Sequence, residues 1–346
     1  MKIAIIQRFL PSCSRGGVGH FTHGLANSLV RRGHSVTVFS RDKAPSDASY
    51  DVFQVAPGRK KNQWDFFWFP FDLRACDFSS FDIVHAQGDE QFIHHKVPVI
   101  RTMHGSAWTE AWYNGIVGFS PKHFFMHLYF YFWEFIAHLR ADKVVGVSRD
   151  TIRYYWRIHD VIGNGVETRL FRTSSIEKSK IPLILFVGQL KSRKRGDFLL
   201  DIFRHQIKPA IPDSERWLVC TEMIIEEGVR CFNNPSTEEL AGLFAKAWVF
   251  CLPSSYEGFG RPYIEAMAAG TPVVATPNPG AREILAEGKY GCLSSLSMLG
   301  QNLIGLLKDE KKRNAYQSVG YKRAQDYDWG VITAQYEQAY VALTGR

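Results

Sequence analysis

Short runs of Ile, Val, Leu and Phe recur along this chain, and between them the apolar residues are spaced three and four apart. The runs at 3–6, 36–39, 83–84, 97–101 and 144–147 are continuous rather than alternating, which predicts parallel strands buried on both faces. Between the first two, Phe21, Leu25, Leu29 and Val30 share one face of a helix at 19–32, and Gly33 stops it. The second half repeats the scheme with strands at 184–187, 217–220, 229–232, 249–252 and 272–275. Helices at 236–247 and 262–269 lie between them. Strand–helix alternation of this kind predicts an α/β protein with two doubly wound sheets. The Ser- and Lys-rich stretch 173–182 reads as the linker.

Two aromatic stretches break the pattern. Residues 64–71 carry Trp64, Phe66, Phe67, Trp68, Phe69 and Phe71, with a proline at 70 that discourages regular structure. Residues 124–139 read as a helix with rings on nearly every face. With His127, Glu134 and His138 inside, the stretch is too short and too polar to span a bilayer. Two readings stay open: a buried helix packed between domains, or an interfacial surface that suits a membrane boundary.

At 346 residues, with 45% hydrophobic and 22% charged, the chain suits two globular cores and excludes disorder. The net charge of +8 fits anionic small ligands, an anionic membrane surface or nucleic acid. No recognition module or dense basic stripe accompanies it, so nucleic acid is set aside as a partner. Six scattered cysteines (13, 76, 220, 231, 251 and 292) without a CxxC read as reduced thiols. The opening MKIAIIQ has no secretory pattern, and the expected location is cytoplasmic, peripheral on the membrane's cytoplasmic face.

The densest chemistry lies at 252–274. A strand ends at Leu252, a loop carries Glu257, Gly258, Phe259 and Gly260, and a helix begins with Arg261 and Pro262 and contains Glu265. Proline suits the first helical turn, where its missing N–H would have no partner in any case. Ligands of open α/β sheets bind beyond strand carboxyl ends, and a helix start favours phosphate. Gly258 and Gly260 allow close backbone approach. One carboxylate can then face a sugar while the other accepts bonds from a ribose.

Glu257 and Glu265 with seven residues between them, set among Glu-Gly-Phe-Gly, Glu-Ala-Met-Ala-Ala-Gly and Pro-Val-Val, resemble the E-x7-E signature of retaining glycosyltransferase family 4. Further segments match in the family's order: Gly16-Gly17-Val18, Gly33-His34, Met103-His104-Gly105, Val147-Ser148, 162–167, 186–189 with Lys194, 279–283 and 291–293. The resemblance implies a GT-B architecture, two Rossmann-like domains with parallel sheets facing a central cleft. The N-terminal, acceptor-binding domain would be 1–170, joined by a C-terminal crossover helix at 329–346, and the nucleotide-sugar domain 171–328. It implies a retaining, metal-independent transferase with no cofactor. The enzyme would move a sugar from a nucleotide diphosphate, UDP first and GDP second, to a polysaccharide or lipid-linked glycan. His104 and Glu257 would be catalytic. Gly16, Gly17, Gln189, Arg193, Lys194, Arg195, Asn233, Gly258, Phe259, Gly260, Arg261, Pro262 and Glu265 would bind donor.

The chain departs from the family where Gln189 replaces the usual Arg and Arg195 the usual Gly. A neutral amide cannot replace a guanidinium fork at a diphosphate, so Arg193 or Arg195 is expected to supply the charge. The span between Cys220 and Val229 is short for a strand–helix–strand, leaving Asn233 as the candidate for the base. His20/His23 and His94/His95 lack a third ligand and read as ordinary residues. The glycines at 16, 17 and 19 do not complete GxGxxG, although Asp42 follows at dinucleotide spacing, so NAD-dependent oxidoreduction is a distant alternative. The nearer alternative is a catalytically degenerate nucleotide-sugar-binding protein.

Overall fold

The computed structural model describes residues 1–11, 17–59, 64–94, 96–110, 121–172 and 176–345, without the side chains of 110 and 121–123. Gly16, Cys13 and His95 lie outside the described residues. The chain divides into two compact units, Met1–Gly165 with Trp329–Arg346, and Val166–Asp328.

Seven strands form the sheet of the first unit: β1 (Lys2–Ile6), β2 (Ser35–Ser40), β3 (Asp51–Gln54), β4 (Ile83–Ala86), β5 (Val99–Met103), β6 (Lys143–Gly146) and β7 (Asp160–Val161). They are all parallel, in the order β3-β2-β1-β4-β5-β6-β7. The continuous apolar runs sit at its centre, where β1, β4 and β5 are buried almost throughout. At the edge, β3 has only half-buried and exposed residues. Its sequence, Asp-Val-Phe-Gln, therefore carries no long apolar run by which to recognise it.

The helix Gly17–Arg31 buries Phe21, Leu25 and Leu29 as its spacing predicts. Against it lies the C-terminal helix Trp329–Thr344. The Trp329 ring fills a slot between Gly24 and Gly165, where a Cβ on either glycine would run into it. That slot ties the last helix to the first unit.

The second unit has six parallel strands: β8 (Leu183–Val187), β9 (Glu215–Val219), β10 (Val229–Phe232), β11 (Val249–Leu252), β12 (Val273–Ala275) and β13 (Cys292–Leu293). Their order is β10-β9-β8-β11-β12-β13, which reverses direction between β8 and β11. Ser236 and Glu239 form a reciprocal capping box at the start of the helix Thr237–Lys246. Between β9 and β10 the chain passes through 220–228 without a helix, as the short spacing implied.

Three expectations need correction. A helix, Asp65–Asp72, runs through Pro70; the proline forgoes a hydrogen bond to Phe66 O, and burial of Phe69 and Pro70 compensates. The Ser/Lys-rich stretch is pinned rather than free over its described part. Lys178 Nζ donates to Ala247 O at 2.8 Å and Thr271 Oγ1 at 2.7 Å, and Trp248 Nε1 donates to Ser179 O at 2.7 Å. The division between units accordingly falls after Gly165 rather than after 170. Val166 N donates to Tyr327 O at 2.9 Å, which brings both passes of the chain together inside the second unit.

Candidate functional site

In the second unit, the loops after β8 and β11 meet at the point where strand order reverses, the crevice in which open α/β sheets hold ligands. Gly188 has φ +150°, and the Lys194 stem lies where its side chain would be. This places Lys194 Nζ 3.3 Å from Val187 O at the strand's carboxyl end. Burial lowers the Lys194 pKa, while Glu257 and Glu265 pull it back up. Both carboxylates therefore act on the same ammonium.

Glu257 is itself buried. Its Oε1 accepts from Ser254 Oγ at 2.8 Å and is paired with the Arg193 guanidinium at 2.8 Å. Arg193 also donates to Tyr256 O, and its own carbonyl accepts from Ser255 N at 2.8 Å and Ser254 Oγ at 3.1 Å. Arg193 thus clamps the 254–257 loop from both its backbone and its side chain. Behind the loop, Gly280 N donates to Glu257 O at 2.8 Å, and Gly280 has no room for a Cβ.

Gly260, at φ +91°, turns the chain into the helix Arg261–Ala268, with Pro262 in its first turn. Tyr263 N–H is already used by Gly260 O, so the helix start offers fewer free donors than its position alone suggests. Arg261 pairs with Glu265 at 2.7 Å. Phe259 is buried against Tyr327, with ring centroids 5.6 Å apart. Gln189 and Asn233 are exposed, at the carboxyl ends of β8 and β10. Arg195 has φ +54°, the left-handed conformation that explains the family's glycine there. Among the described residues its guanidinium makes no hydrogen bond or ion pair.

In the first unit, His104 directly follows β5. Its Nε2 donates to Gln87 Oε1 at 2.7 Å, and its ring stands edge-on to Phe21 at 4.8 Å. The Gln87 amide nitrogen faces His85 Nε2 at 3.0 Å, and Thr102 Oγ1 lies 2.8 Å from the same atom. His85 Nδ1 then donates to Tyr340 Oη at 2.6 Å. Burial pushes both imidazoles down to about 3, and the Arg101 cation further disfavours a charged His104. His104 is therefore neutral, with Nε2–H committed to Gln87 and the Nδ1 lone pair left as acceptor. Gly17, at the start of its helix, has nothing within 4 Å of a Cβ position.

His23 bonds Tyr50 Oη at 2.8 Å and Asp47 at 3.2 Å, an ordinary side-chain network. Asp42 accepts from Leu10 N–H at 2.8 Å and so holds a loop.

Residues 15–170 match the model of Glycosyltransferase Family 4, and residues 167–323 that of Glycosyl transferases group 1. The chain belongs to glycosyltransferase family 4, a family of sugar-transferring enzymes. It is 30% identical over 227 residues to a phosphatidyl-myo-inositol mannosyltransferase of Mycolicibacterium smegmatis, a match covering 59% of each chain. It thus spans less than two thirds of that curated relative's length. Sucrose-phosphate synthase from Thermosynechococcus elongatus has the same fold, with a TM-score of 0.80 at 20% identity over 99% of both chains. So does Anabaena HepE in complex with UDP-glucose, with a TM-score of 0.73 at 17% identity over 99% of this chain and 100% of that one. The two parallel sheets are those of a GT-B glycosyltransferase.

Within this family 4 chain, the second unit gathers Lys194, Arg193, Glu257 and Glu265 around one strand-order reversal. His104 belongs to the first unit. Sequence reasoning did not find Gln87 and His85 as its partners, because hydrogen bonds between adjacent strands leave no fixed spacing in the chain. Ser254 as a partner of Glu257 also went unread.

Proposed function

We propose that the protein transfers a sugar, with retention and without a metal, from a nucleotide diphosphate held by the second unit to an acceptor held by the first. The observation that carries this reading is the meeting of Lys194, at the end of β8, with the Arg193–Glu257 pair in the loop after β11, where the strand order reverses. A diphosphate there would pair with Lys194 and recruit Arg195, whose guanidinium makes no bond among the described residues, and so make good the guanidinium absent at Gln189. Preorganised cations of this kind stabilise the charge that builds on the leaving group. Glu257, fixed by Arg193 and Ser254, would face the sugar. Glu265 would exchange its bond with Arg261 for the ribose hydroxyls. His104 would accept a sugar hydroxyl's proton in a hydrogen bond at Nδ1. Retention, and the preference for UDP over GDP, are carried over from the family.

The test is release of nucleotide from UDP-glucose and GDP-mannose, alongside the thermal shift each ligand produces. Wild type should turn over one donor, and Glu257→Ala and His104→Ala should lose turnover while keeping the shift. Tight binding with no turnover of any donor would favour a degenerate nucleotide-sugar-binding protein instead.

A peripheral membrane position also has structural support. No described helix is long and apolar enough to cross a membrane. Trp68 and Phe71, on the helix Asp65–Asp72, and Phe125 and Phe132, on the helix Pro121–Arg140, are exposed, as is Trp64 just before the first; the two helices are joined through Phe67 and Tyr129 at 4.9 Å. Arg59 and Arg74 lie over the Trp68 and Phe71 rings. Rings flanked by cations suit an anionic lipid surface. Absence of cosedimentation with phosphatidylglycerol vesicles at low salt would remove this reading.

A further inference from the structure

A cavity of about 1010 Å³ lies wholly within the first unit, and its two walls differ in chemistry. One wall is the carboxyl edge of the sheet, with Arg8, Gln87, Asp89 and Arg101. The other consists of rings from the two aromatic helices, including Phe66, Phe67, Phe130 and Trp133. Phe66 and Phe130 meet edge-to-face at 4.7 Å, so the two helices form one continuous apolar surface. Among the described residues, nothing hydrogen-bonds Trp133 Nε1, which is buried.

The cavity is at the upper end of the size range for small-molecule sites and larger than a monosaccharide needs. A sugar bound against rings alone would leave its hydroxyls unpaired. Among the described residues, the polar wall has no surplus of positive charge. Arg8 pairs with Asp89 at 3.1 Å, Arg101 pairs with Glu90, and Glu134 adds a further carboxyl group. That balance disfavours a phosphate and suits a neutral hydroxylated group. Gln87 contributes to this wall and also bonds His104, so the polar end of the cavity adjoins the proposed catalytic histidine.

We propose that this cavity receives an amphipathic acceptor, an alkyl or prenyl chain carrying a hydroxylated head. The chain lies between the aromatic helices and the head against Arg8, Asp89 and Gln87. This rests on the reading that the first unit is the acceptor side of a transferase.

The test is titration of the full chain's tryptophan fluorescence with hexyl, octyl and decyl β-glucosides below their micelle concentrations, with and without UDP. Affinity should rise about fourfold for each added CH2, and free glucose should give no signal. A flat dependence on chain length overturns the proposal. Phenyl glucoside binding as tightly as the decyl compound overturns it in favour of a compact ring-shaped acceptor. Phe66→Gln with Phe130→Gln should weaken decyl glucoside at least tenfold, while Phe125→Gln with Phe132→Gln, on the outer face, should keep the chain-length dependence. The reverse pattern would place binding on the surface and overturn the cavity. The UDP thermal shift reports that the variants fold. If UDP and GDP compounds shift nothing in the wild type while chain-length dependence persists, the donor reading fails and the cavity's preference stands.

Discussion

His104 Nε2 and Gln87 Oε1 stand 2.7 Å apart, and this one bond decides which nitrogen of the histidine can act. Gln87→Glu would put a carboxylate in the same place and favour the imidazolium. Its kcat should stay close to the wild-type value at pH 8, where the imidazole is neutral and Nδ1 still accepts, and should fall as pH drops. Its pH profile should gain a limb that the wild type lacks between pH 5 and 7. Gln87→Leu should lower kcat without adding that limb. Profiles of kcat from pH 5 to 9 check both, and identical profile shapes for all three proteins would remove Gln87 as a positioning residue.

Acid should weaken the fold before the carboxylates titrate. His85 is fully buried and neutral, with its pKa pushed down to about 3, whereas in the unfolded chain it takes a proton near 6.5. The unfolded state therefore binds more protons between these values. Stability is fully present above 6.5 and is lost as pH falls through that window, by about 1.4 kcal/mol per pH unit for this one group. His104 and His138 are depressed in the same direction. Urea unfolding at pH 7, 6 and 5 should show the decline, and a His85→Gln variant should show a shallower slope whatever its absolute stability.

Arg193 binds Glu257 and the Tyr256 carbonyl, so its contribution is to the loop more than to the diphosphate. Arg193→Ala leaves a buried carboxylate without its cation, and loss of such a charged bond is worth about 1.5–3 kcal/mol. A fall in kcat/KM of about 10- to 100-fold is expected, with affinity for free UDP nearly unchanged. Arg195→Ala should do the opposite, weakening UDP and leaving the loop intact. Arg193→Lys should recover only part of the loss, since one ammonium cannot reach both acceptors in the guanidinium's geometry. Calorimetry with UDP and steady-state rates separate the two arginines.

The central strands and the Glu257–Glu265 loop were legible because both carry strong local signals. The strands are unbroken apolar runs, and the loop is punctuated by Gly258, Gly260 and Pro262. Residues 65–72 were misread because the local cost of Pro70 was weighed without the burial of Phe69 and Pro70 that the fold supplies. Residues 176–182 looked like a linker by composition, yet Lys178 finds two acceptors and a pKa near 7 inside the second unit. The His85–Gln87–His104 chain was invisible because it joins β4 to the end of β5 across the sheet. The pairing of Arg193 with Glu257 has the same origin, since β8 and β11 are neighbours only in the folded sheet.

Gly280 offers the sharpest test of whether the Glu257 loop needs its present position. A Cβ there would sit 2.7 Å from the Phe259 carbonyl carbon and 2.8 Å from Glu257 O, and backbone cannot swing aside as a long side chain can. Gly280→Ala must therefore move the loop or the start of the helix Pro279–Leu285, at a cost of about 1–3 kcal/mol. Gly305, inside the helix Leu299–Lys308, has nothing within 4 Å of its Cβ position, so Gly305→Ala should instead stabilise by about 0.5–1 kcal/mol. The pair controls for the substitution itself. Donor turnover should fall at least tenfold in Gly280→Ala and remain at the wild-type level in Gly305→Ala, read in the same nucleotide-release assay. Equal activity in both would mean that the loop tolerates displacement, and Glu257 would then lose its claim to a fixed place against the sugar.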